Sequence, residues 1–391
     1  MKGVSERLPS PDVGAPRFEP PDENQNALLS GTHVPRAPSV PSASLSALAS
    51  PTVSTAAPDI SSYAQRMSIG RSGRPIQQAP PDEPHRAMIH RGLLKIGATR
   101  FRCLWAHARR TNEGDRRLRH NRASIIEAQI AVRRDIDALD SASPTLSADE
   151  IARRRSAKQS ILERGAAARA KIDAAIMRQR RHDERLGQKL MSDLRRELMT
   201  TDTEAAATAH CARQAHVCKS LAFYEAMIRQ STASFFRLMP VRSAPTQLRF
   251  LSSPTTRAMM KPDDQIFLFE PDRGQIWHEL AHLAELAAPE VYRSCVAWRR
   301  ARGLNSHGEL KIRPLDEIQP AMGYQSDERA IEDDFCMPYV GACYDPETLR
   351  STEVLSIGLQ HFVSAAAMFR LFKCDPEHFA LVVGAICHAR L

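Results

Sequence analysis

The 391-residue chain reads as an α+β protein whose C-terminal domain follows a helical region and a disordered start. Three observations carry that reading. Of the 26 prolines, 14 fall within residues 1–84, among many Ser and Ala, and such a stretch cannot bury enough apolar surface to offset its ordering entropy. Residues 86–235 place apolar side chains at helical spacing between charged ones. From about residue 236 the texture shifts to short apolar runs punctuated by Pro240, Pro245, Pro254 and Pro262, the pattern of strands and loops.

Taken in chain order, residues 1–85 are expected to be disordered, and their composition resembles the leaders of bacterial type III effectors. No apolar run follows Met1 as a Sec-type signal requires. No run reaches the roughly 18 apolar residues that span a bilayer. In the basic helical region, 86–235, Ser147-Ala148-Asp149-Glu150 forms a capping box behind Leu146. Ile172, Ile176, Leu186, Leu190, Leu194 and Leu198 then continue at helical spacing. One long helix is expected over 147–198, with others over 121–140 and 203–232. Residues 101–200 hold 23 Lys+Arg against 14 Asp+Glu, the same surplus of +9 as the whole chain. Acids are interspersed and stacking aromatics are absent, so a helical hairpin with a solvated face is expected rather than a nucleic-acid surface. His210-Cys211 and His216–Cys218 do not share one helix face and are not expected to hold a metal. The eight cysteines are scattered without a C-x-x-C pair and are expected to be reduced.

In the C-terminal part, 236–391, strands are expected at 248–251 and 265–269. The second leads into His278-Glu279-Leu280-Ala281-His282. Residues i and i+4 share a helix face, so His278 and His282 can offer two imidazoles to one metal ion. Glu279 beside them is placed to take a proton from an attacking water; H-E-x-x-H on a helix is the metalloprotease pattern for that reason. Ile276, Trp277, Leu280, Leu283 and Leu286 make the helix apolar on most sides, hence buried.

A catalytic zinc takes three protein ligands and keeps an open position. Leu283-Ala284-Glu285-Leu286 lacks the glycine and third histidine of the metzincin extension. The favoured third ligand is Glu353, at the start of an apolar helix expected to run through Phe362 to Phe372, on a polar stripe with Ser356 and Gln360. Glu285, Asp327, Glu328, Asp333 and Asp334 remain chemically able alternatives, and Asp333 or Asp334 is expected to accept a ligand imidazole's outer N–H.

H-E-x-x-H followed by Thr352-Glu353-Val354-Leu355-Ser356 resembles the gluzincin metallopeptidases. That likeness implies a zincin-like fold, Zn2+ as cofactor and Glu353 as its third ligand. A nearer likeness covers residues 264–387. Asp333-Asp334-Phe335, Pro338-Tyr339-Val340-Gly341, Tyr344, Thr352–Gly358 and Asp375-Pro376-Glu377 resemble the zincin domain of phage minor head proteins and of some bacterial effectors and toxins. Ile357 stands where that family often has Met. Tyr339 and Tyr344, just ahead of the Glu353 helix, are the expected donors to a tetrahedral oxyanion. The strand over 265–269 is expected to pair with an extended peptide.

The function so implied is a zinc endopeptidase acting on a protein or peptide substrate, as an effector or toxin on a host target. It would be secreted without a Sec signal or be cytoplasmic. The alternative is a prophage-derived minor head protein that carries a zincin domain.

Overall fold

The computed structural model describes residues 83–141, 147–199, 215–240, 248–255, 257–261, 265–305, 307–320, 324–325, 327–343 and 351–390. The expected disordered start lies outside these residues, as do Tyr344, His210 and Cys211. Asp59–Leu391 forms one compact unit.

The described chain is mostly helical, with a small mixed sheet. α1 (Pro84–Ile96) starts on a proline, whose fixed φ suits a first turn. It ends at Gly97, where φ of 79° favours a residue without Cβ. α2 (Ala98–Ser141) and α3 (Ala148–Leu198) form an antiparallel hairpin. Its cross-links run in descending order: Arg100–Glu197, His107–Asp183, Arg180–Asp115, Asn121–Asp173 and Lys158–Asp135. Ser147 caps α3, its hydroxyl accepting from the Glu150 amide at 3.3 Å. Nothing in 115–138 or 148–182 is buried, so the far half of the hairpin is an arm with a solvated face. Leu104, Met191 and Leu194 at the near end enter the core.

Two helical expectations within residues 86–235 are corrected. The helix expected at 121–140 begins at Ala98, because Gly97 is the nearest break. The one expected over 203–232 does not run through: His216 and Val217 form β1, a 3-10 turn follows at Lys219–Tyr224, and α4 covers Glu225–Leu238. The His216 amide donates to Leu248 O and the Cys218 amide to Phe250 O, so sheet bonds replace helical ones.

β2 (Arg249–Ser252), β3 (Met259–Lys261) and β4 (Gln265–Leu268) complete a sheet of order β1-β2-β4-β3. β1, β2 and β4 are parallel, and β3 runs antiparallel to β4. The strand expected to receive a peptide, β4, is therefore internal, and the edge strand beside it is β3, with β1 at the opposite edge. Beyond it come α5 (Arg273–Ala287) and α6 (Pro289–Gly303). β5 (Ile312–Pro314) then leads into α7 (Leu315–Ile318) and pairs antiparallel with β6 (Arg329–Ile331). α8 (Glu353–Gln360), α9 (Ala365–Cys374) and α10 (Pro376–His388) close the fold. The expected helix from Glu353 through Phe372 is thus broken. Ser364 is extended and caps α9 by accepting from the Ala367 amide.

One core joins elements from both sides of residue 235. Phe101 packs edge-on against Phe372, and Phe235 against Trp277. Cys336 and Cys374 form a disulfide, with Cα atoms 5.5 Å apart. That corrects the reduced reading for this pair; their closeness is made by the fold and not by a sequence motif. Cys103, Cys218, Cys295, Cys343 and Cys387 are free thiols. No helix among the described residues is long and apolar enough to cross a membrane.

Candidate metal centre

α5 carries the H-E-x-x-H residues. Asp272 starts the helix, its carboxylate accepting from the Gln275 amide at 2.8 Å. Trp277, Leu280, Ala281 and Ala284 fix its buried faces, and the Trp277 indole donates to Ser231 O at 3.2 Å. The His278 and His282 rings stand 5.0 Å apart on one side. Glu353, the first residue of α8, reaches the same point: its carboxylate lies 3.1 Å from His278 Nε2 and 3.7 Å from His282 Nε2. Among the described residues this trio is the group arranged to hold a metal, with ligand atoms all within 4.8 Å of one another.

The donor set fits a tetrahedral divalent cation such as zinc. Ligands about 2.0–2.2 Å from a tetrahedral ion stand roughly 3.3 Å apart, close to the separations seen here. His282 Nδ1 is buried without a hydrogen-bond partner. The nitrogen that faces Glu353 is Nε2, so ligation there leaves this Nδ1 as it is. Two of the three donors are also oriented from behind. His278 Nδ1 donates to Gln360 Oε1 at 3.3 Å, and Ser356 Oγ donates to Glu353 Oε2 at 2.7 Å. The polar stripe expected on α8 therefore faces the centre, whereas the expected outer acceptors do not. Asp333 and Asp334 pair instead with Arg302, along with Asp375. The Arg302 guanidinium lies against the Trp298 and Phe335 rings, an environment that attracts nearby acids before a more distant imidazole can.

Protonation follows from burial and mutual charge. Burial opposes a charged His278, but the Glu353 carboxylate at its side raises it to about 9. His282, more deeply buried than His278, falls to about 4. Without metal the positive charge thus sits on His278, paired with Glu353, and binding a cation would release that proton. Glu279 is pushed up to about 7, first by burial and against the pull of His278; Glu353 raises it further, while Arg257 and the Met260 amide lower it. Met260 belongs to β3, so the acid sits near that edge strand.

Tyr339 lies on a 3-10 turn, Pro338–Gly341, stacked on Tyr324 with ring centroids 5.6 Å apart. Arg257 donates to the Tyr339 hydroxyl at 3.3 Å and pairs with Glu328 at 2.7 Å. Burial raises the Tyr324 phenol first, and the charges of Glu328 and Glu353 reach it too. Tyr324 and Arg257 were not legible as site residues, because the stacking that brings them there leaves no periodic signal.

Of the alternative ligands, Glu328 is held by Arg257, and Asp333 and Asp334 by Arg302. Glu285 is turned toward Thr352. Comparison with protein families, curated proteins and solved structures finds no match to this chain.

Proposed function

We propose that the chain is a zinc-dependent endopeptidase of gluzincin type, with a zincin-like fold in its C-terminal part. The supporting observation is the convergence of His278, His282 and Glu353 from two helices beside the buried Glu279. A bound zinc ion would polarise the scissile carbonyl and bring the pKa of water toward about 7. Glu279, itself near 7, takes the proton from the attacking water and returns it to the leaving amine. The outer side of β3, with which no described strand pairs, receives the substrate as an added strand. Tyr339, or Tyr344 outside the described residues, supplies the second donor to the oxyanion.

The role as an effector or toxin delivered to a host protein is supported by the Pro- and Ser-rich start. The test is mass-spectrometric mapping of new N-termini in cell extracts exposed to zinc-loaded protein. Glu279→Ala is expected to keep one zinc per chain and lose about 100- to 10,000-fold in cleavage rate. Cleavage retained at the wild-type rate sinks the mechanism.

A further inference from the structure

His278, His282 and Glu285 stand at i, i+4 and i+7, so they share one face of α5. The first two are candidate metal ligands. Glu285 is fully buried and makes two bonds to one residue: its Oε2 accepts from the Thr352 amide at 2.6 Å and its Oε1 from the Thr352 hydroxyl at 2.8 Å. Thr352 is the N-cap of α8 and immediately precedes Glu353. A threonine there ordinarily turns its hydroxyl back to cap its own helix. Thr352 makes no such cap bond; its hydroxyl is turned toward Glu285 instead. Cys295 of α6, itself buried, lies near the carboxyl group.

Stability alone does not account for an acid at this place. An apolar side chain of similar volume would fill the site without the cost of removing a carboxyl group from water. What the acid adds is register, since a two-point grip on a backbone amide and its own hydroxyl fixes both height and rotation of the first turn of α8. That turn carries the ligand that must meet two histidines from another helix.

Building on the zinc reading above, we propose that Glu285 is a positioning residue for the metal centre. It holds the α8 N-terminus so that Glu353 closes the ligand set begun by its own helix. His378 grips the same turn from the far side, its Nε2–H donating to Val354 O at 2.6 Å, so α8 is held between α5 and α10.

The experiment uses Co2+ alone as the probe and the full chain. Wild-type protein is expected to bind one Co2+ with a visible spectrum of a low-coordinate site. Glu285→Leu is expected to weaken Co2+ binding about tenfold or more and to change the shape of that spectrum, while far-UV circular dichroism is retained. Glu285→Gln keeps an acceptor for the Thr352 amide and is expected to restore the wild-type spectrum. If Glu285→Leu does not fold, Thr352→Val removes the hydroxyl arm and is expected to show the same spectral change. Wild-type spectrum and affinity in the folded Leu variant, or in Thr352→Val where Leu does not fold, overturn the proposal. So does a folded Gln variant as impaired as Leu. A wild-type chain that takes up no Co2+ overturns the metal centre itself, a result distinct from either.

Discussion

Glu285 also sets a pH signature that belongs to this one residue. Burial lifts its carboxyl group from the ordinary 4.5 to about 8. Between those values the folded chain holds a proton that the unfolded chain releases. The contribution to stability is therefore complete below about pH 4.5 and is lost as pH rises through about 8. Its slope can reach about 1.4 kcal/mol per pH unit. Glu279 and Glu377, both pushed to about 7, act in the same direction, so a variant is needed to isolate Glu285. In urea unfolding of metal-free protein at pH 5, 6.5 and 8, wild type is expected to lose stability with pH more steeply than Glu285→Gln. Parallel pH dependence would show that Glu285 does not hold the extra proton. At this scale the candidate ligands were legible and their supports only partly so. His278, His282 and Glu353 announce themselves by chemistry and spacing, and Gln360 by its place on the α8 stripe. Glu285 was visible only as a rival ligand, because a sequence does not show which way a buried carboxylate faces.

At the scale of elements, local signals were read well and close approaches were not. Ser147 marks the start of α3 and the Gln265–Leu268 run marks β4, since capping and apolar patterning act within a few residues. The break at Ser364 was missed, because apolar residues on both sides hide a cap whose evidence is its extended backbone. The contact of α1 with α10 was invisible for a different reason. A Cβ added to Gly92 would overlap Ala380 O, and one added to Gly384 would overlap Met88 O. The two helices thus meet backbone to backbone through paired glycines 292 residues apart in the chain, a distance at which no periodicity operates. Gly384→Ala places a methyl group against a carbonyl that cannot yield without moving α1. The expected cost is about 1–3 kcal/mol, read as a lower urea midpoint with an unchanged slope. A midpoint equal to wild type would mean that the helices separate freely.

Across the whole molecule, the texture change near residue 236 is real in the sequence, yet the core runs through it. Trp277, one residue before the first histidine, shows why. Its ring meets Phe235 edge-on at 5.5 Å, its indole donates to Ser231 O, and the Arg195 guanidinium lies 5.8 Å from its centroid. Arg195 also donates to Phe362 O at 2.9 Å, tying α3 to the segment between α8 and α9. Phe101 covers Phe372, and Gly187 lies against the Phe369 ring. Composition marks where textures differ, but shared burial depends on pairings between distant segments, and those decide what folds alone. A fragment of residues 236–391 would lose every partner just named and expose Trp277 beside the metal centre. It is expected to show no cooperative thermal transition and less than one zinc per chain by elemental analysis. A chain beginning at Glu83 keeps these contacts and is expected to retain both. A cooperative, zinc-loaded 236–391 fragment would mean that the helices before residue 236 are a detachable module, and that Phe235, Ser231 and Arg195 do not hold the α5 helix.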